Sequence, residues 1–92
     1  MDINEARQRI IAECDSIKEL LLAKNEQYGN AVLEPLGIFS DGNPLGGVNY
    51  RIDDKLKRIA SKRTDETEDT ELDLIGYMIM RRIIVKSQTR PD

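Results

Sequence analysis

The sequence predicts an all-α protein, a small bundle of three main helices that is oligomeric and carries a long Gly/Pro-rich loop between its first and second helices. Three observations lead there. Apolar residues recur at three- and four-residue spacing in three separate stretches, the period of a helix with one buried side. Five of the six glycines and two of the three prolines gather between the first two stretches. With 34% charged residues, one Phe and no Trp, a chain of 92 residues buries only a modest core alone. Helical oligomerisation is one remedy.

The chain is expected to be a single domain over 1–92, with its first helix at 1–24. Ile3, Ala6, Ile10, Cys14, Ile17, Leu20 and Leu21 form the stripe of that helix, and Asp2 or Asn4 can cap it. Glu5, Arg7, Arg9, Glu13 and Lys18 fall largely outside the stripe, as in an ordinary core or subunit-contact helix. The loop at 29–47 is long for a small domain, and such loops are usually functional or mobile. Asn30 to Leu36 can form a short helical turn, and Val32, Leu33, Leu36, Ile38 and Phe39 suggest that part of the loop packs down. It reads as a cover for a pocket or an arm reaching a neighbouring subunit.

The second helix is expected at 49–62, with Val48, Ile52, Leu56 and Ile59 buried. A polar turn at 63–67 makes it an antiparallel neighbour of the third helix, at 66–86. Asp65 and Glu68 resemble a capping box, and acid in a first turn suits the helix dipole. Leu72, Ile75, Ile79 and Ile83 form the stripe of the third helix; Leu74, Met78 and Val85 add a second apolar side. Residues 87–92 read as a frayed polar tail.

Composition excludes several classes of function. A net charge of −3 and a pI near 5.0 argue against general binding of duplex DNA. One cysteine and no histidine leave no intramolecular disulfide, too few ligands for a zinc site and no Ser-His or Cys-His nucleophile. No apolar run suits a signal peptide or a membrane span, so a cytoplasmic protein is expected.

Two constellations carry chemistry. Arg51, Lys55, Arg58 and Lys62 lie one residue round from the buried stripe of the second helix, while Asp69, Asp73 and Tyr77 stack along the third. An interhelical salt-bridge network would account for the pattern. So would a pocket in which the cations take phosphate and Asp73 orients an arginine or accepts from a base or sugar, since the guanidinium fork suits phosphate oxygens. The second constellation, Lys24, Asn25 and Tyr28 at the end of the first helix, can be capping and turn residues or a place for a ligand with both charge and a flat ring. Tyr28, Tyr50 and Tyr77 all sit in or beside these motifs and have rings that can stack on a base.

The runs Lys24-Asn25-x-x-Tyr28-Gly29, Arg51-x-Asp53-Asp54-Lys55-x-x-Arg58 and Glu68-Asp69-Thr70-x-x-Asp73-Leu74-x-x-Tyr77 together resemble the first of the nucleotide modification associated domain families. The likeness covers roughly residues 20 to 83. Those small phage proteins are similar in helical pattern to the all-α nucleotide pyrophosphohydrolases of the MazG and dimeric dUTPase type. The resemblance implies nucleotide handling more than a particular reaction. Catalytic members of the wider group hold magnesium with Glu-x-x-Glu on one helix and Glu-x-x-Asp on the next. Here Thr70 stands three residues before Asp73, and neither earlier helix has Glu-x-x-Glu.

The leading expectation is therefore a nucleotide-binding homo-oligomer, phage-encoded, that serves nucleotide modification or sequestration and requires no cofactor. Its ligand, linear or cyclic, would be held by Lys24, Asn25, Tyr28, Arg51, Lys55, Arg58, Asp73 and Tyr77. The alternative is a magnesium-dependent nucleoside triphosphate pyrophosphohydrolase using Asp54, Asp69 and Asp73 as metal ligands. A structural adaptor is the third reading.

Overall fold

Each helix begins where a side chain can satisfy its first amide groups. In the computed structural model, which describes residues 1–62 and 69–89, α1 (Ile3–Tyr28) starts at Asp2, whose Oδ1 accepts from the Glu5 amide at 2.8 Å. α2 (Pro44–Ala60) starts at Asn43, whose Oδ1 accepts from the amides of Leu45 and Gly46 at 3.0 and 3.3 Å. Proline fills its first position, where the missing N–H has no helical partner to lose. In α3 (Thr70–Thr89), the Asp69 Oδ1 accepts from the Leu72 amide at 2.9 Å. The described residues thus form three helices and no strand, an all-α bundle. None of the helices is long and apolar enough to cross a membrane among the described residues.

Each helix runs past one end of its expected range for local reasons, while α2 stops at Ala60, two residues short of Lys62, and α3 starts only at Thr70. α1 runs one turn past Lys24, since nothing breaks it before Gly29, which takes φ +71° and donates its amide to the Asn25 carbonyl at 2.7 Å. α2 begins five residues before Asn49, because the Asn43 cap and Pro44 outweigh the helix-weakening Gly46 and Gly47. α3 continues through residues 87–89, where the Ser87 hydroxyl donates to the Ile83 carbonyl at 2.9 Å. The expected cap at Asp65 and Glu68, the turn at 63–67 and the last three residues of the tail lie outside the described residues.

The core is small. Val48, Ile52 and Ile84 are buried, and Val32, Leu33, Leu45, Leu74, Tyr77 and Met80 pack around them. α2 and α3 run antiparallel. Asn49 meets Arg81 at 2.9 Å, Arg51 meets Tyr77 at 3.5 Å, and Lys55 meets Asp73 at 3.7 Å, so one number rises as the other falls.

The buried faces differ in part from the expected stripes. Leu56 and Ile59 remain 49% and 43% exposed at the C-terminal end of α2. On α3 the inward face is Leu74, Tyr77 and Ile84, whereas Ile79 and Ile83 stay 36% and 44% exposed. Of the loop, Val32 and Leu33 pack down while Leu36, Ile38 and Phe39 point to solvent. One helical turn is closed there by the Glu34 amide donating to the Asn30 carbonyl at 2.7 Å. Gly37 and Gly42, both at positive φ, form the neck of the loop; a Cβ on Gly37 would meet the Gly42 Cα at 3.0 Å.

Among the described residues, α1 touches the bundle through its C-terminal half alone. Leu21 lies against Gly76 and Lys24 reaches Asp73, whereas no residue of α1 is fully buried. The radius of gyration, 15.6 Å, accordingly exceeds the roughly 12 Å of a compact domain this long.

Candidate functional site

A groove of about 450 Å³ opens between the C-terminal half of α1, the turn after it, and the α2–α3 pair. Its walls are apolar, with Ile17, Leu20 and Leu21 from α1, Val32 and Leu33 from the turn, and Leu72 and Met80 from α3. Gly76 lets α1 come close; a Cβ there would meet the Leu21 Cδ2 at 3.0 Å. The rim is polar and aromatic. Lys24, Asn25 and Tyr28 come from the last turn of α1, Arg51 from α2, and Asp73 and Tyr77 from α3.

Charge on this rim is unevenly matched. The Asp73 carboxylate lies between two ammonium groups, with Oδ1 3.5 Å from Lys24 Nζ and Oδ2 3.7 Å from Lys55 Nζ. Lys55 is well covered, its side chain 12% exposed, and it lines a neighbouring cavity rather than this groove. Arg51 differs. Its guanidinium carbon stands 5.8 Å from the centre of the Tyr77 ring, within cation–π range, and Nη1 lies 3.5 Å from the Tyr77 hydroxyl. Arg51 is exposed and, among the described residues, has no carboxylate within ion-pair distance. It also borders a second cavity, of about 690 Å³, with Pro35, Asp41, Tyr50, Asp54 and Lys55. Arg51, with Ala31 and Val32, therefore stands between two openings.

Of the eight ligand-binding residues expected from sequence, Lys24, Asn25, Tyr28, Arg51, Asp73 and Tyr77 line the one groove. Lys55 contacts it through Asp73, and Arg58 lies apart, pairing with Asp54 within α2 at 3.3 Å. The Asn25 amide group is engaged locally, donating to the Gly29 carbonyl at 3.3 Å and to the Asn30 Oδ1 at 2.8 Å. The three acids named as metal ligands are dispersed. Asp54 is paired with Arg58, Asp69 closes the first turn of α3, and Asp73 lies between the two lysines. Among the described residues no group of three acids, cysteines or histidines is placed to hold a metal ion.

Sequence reasoning missed the apolar walls, reading Ile17, Leu20 and Leu21 as positions of an ordinary core or subunit-contact stripe. Gly76 was an available signal, because a lone glycine inside a helical pattern often marks a close approach of another element. Comparisons with protein-family models, curated proteins and solved structures give no match.

Proposed function

We propose that the protein binds a phosphate-bearing nucleotide, linear or cyclic, as a phage-encoded, cytoplasmic homo-oligomer that serves nucleotide modification or sequestration without complete catalytic machinery of its own. Arg51 carries the reading: an exposed guanidinium with no carboxylate partner among the described residues, set against the Tyr77 ring at the edge of an apolar groove. A guanidinium so placed has donors to offer a phosphate oxygen. Lys24 adds a second cation, the Tyr28 ring stands at the same rim, and the walls can take the flat face of a base. The resemblance of the three motifs to the nucleotide modification associated family supports the same class of ligand.

Calorimetric titration with a panel of linear and cyclic nucleotides tests this reading. Binding that weakens markedly in Arg51→Ala supports it, and the absence of heat with every member rejects it. The magnesium-dependent pyrophosphohydrolase would draw on Asp73, which lines the groove. Pyrophosphate release from nucleoside triphosphates, lost in Asp73→Asn, would favour that alternative. For a structural adaptor, Arg51→Ala would lower the melting temperature and change no binding.

A further inference from the structure

Among the described residues, α1 has a partner for only half its length. From Met1 to Ser16 no residue except Ala6 is even half-buried, and Ile3, Ile10 and Ile11 are 69%, 61% and 60% exposed. From Ile17 onward the same stripe turns onto α3 and the groove. The apolar face is thus continuous, but what the described residues supply to cover it stops.

We propose that the overhanging part of α1 pairs antiparallel with the same part of a second copy, about a two-fold axis passing close to Ile10. This names the face behind the homo-oligomer of the proposed function, and it does not depend on what the groove binds. Such a pair is isologous, so one stripe has to complement itself. With Ile10 on the axis, Ile3 lies level with the partner's Ile17 and Ala6 with the partner's Cys14. Apolar or small residues thus meet across about 21 Å of helix, from fourteen steps of 1.5 Å.

Charge agrees with this direction. Arg9 and Glu13 lie four residues apart on one flank of the stripe. In an antiparallel pair like flanks face each other, so Arg9 meets the partner's Glu13 and Glu13 meets the partner's Arg9. Arg9 now holds only Glu5, in an exposed pair at 2.9 Å that can be exchanged at little cost. A parallel pair is blocked, because α3 occupies the stripe from Leu21 on, where the second helix would have to continue. The pairing reaches the groove as well: Ile17 lines it, so the partner's Ile3 would close its outer end.

Cysteine cross-linking of the full chain tests both partner and direction. In a Cys14→Ser background, Ile10→Cys should form a disulfide dimer on oxidation at micromolar concentration, while Ile3→Cys should not. Cross-linking of neither rejects the pairing, and equal cross-linking of both replaces it with a parallel one. Sedimentation supplies an independent readout. The wild-type chain should have an even multiple of the monomer mass, and Ile10→Glu should halve that mass with helicity by circular dichroism retained. A monomeric wild type overturns the proposal. Since neither readout involves nucleotide, failure of the titrations above would leave this result standing, and the converse holds.

Discussion

α1 and α2 are both amphipathic helices with a capped start, and they differ in where their apolar residues go. α2, the shorter at 17 residues, buries Val48 and Ile52 against α3. α1, with 26, buries nothing fully and leaves Ile3, Ile10 and Ile11 to solvent. An apolar stripe at helical spacing states that a helix wants a neighbour. It does not state that the neighbour lies in the same chain.

The contrast is broken most severely in the core that α2 shares with α3. Ile84 is 4% exposed in a core that, among the described residues, has three buried apolar side chains. Truncation to Ala should cost about 2–5 kcal/mol, the usual range for a buried aliphatic side chain. Leu22, 62% exposed on α1, should cost less than about 0.5 kcal/mol on the same truncation. Urea unfolding of both variants is the measurement. Equal losses would mean that α1 is as deeply packed as the α2–α3 pair.

Next in size is the effect on the groove where the two regions meet. Arg51→Ala should weaken nucleotide binding about 10- to 100-fold, the equivalent of a charge-assisted hydrogen bond of about 1.5–3 kcal/mol. Stability should hardly change, since the exposed Arg51 touches Tyr77 only at 3.5 Å. Calorimetry and thermal melting together separate the two effects.

Asp73→Asn comes third. It removes the carboxylate between Lys24 and Lys55, and Asp73 is itself 24% exposed, so the stability loss should be near 1 kcal/mol. Removing negative charge from the rim should leave phosphate binding intact or tighten it several-fold. Loss of binding, or of a magnesium-dependent activity, would instead make Asp73 a ligand contact or a metal ligand.

Much of this arrangement was legible in the sequence. Stripes such as Val48–Ile52 gave the helices, while Lys24 and the group Arg51, Asp73 and Tyr77 were legible only as two separate constellations, which the fold brings to one rim. The ends of elements were less legible. Gly46 and Gly47 suggested loop, yet the cap at Asn43 settles the start of α2. Leu56 and Ile59 share the periodicity of Val48, but periodicity cannot show where a neighbouring helix stops covering them. Asp69 could be read as an ion-pair or metal residue, whereas its carboxylate is engaged with the Leu72 amide, a role that only helix-start geometry reveals.

The finest distinction concerns how α1 meets α3, and two glycines measure it. Gly47 and Gly76 both lie inside helices with φ in the range open to any residue, so Ala at either should gain up to about 0.5–1 kcal/mol from helix propensity. A Cβ at Gly47 meets nothing within 4 Å; at Gly76 it would meet the Leu21 Cδ2 at 3.0 Å. Gly47→Ala should therefore show the gain in thermal melting, while Gly76→Ala shows little or none because Leu21 has to move aside. Adding Leu21→Ala to Gly76→Ala removes that obstruction, so the alanine gain should reappear relative to Leu21→Ala alone. If the two glycine variants gain equally, Leu21 is not seated on Gly76, and the wall that α1 contributes to the groove is lost with it.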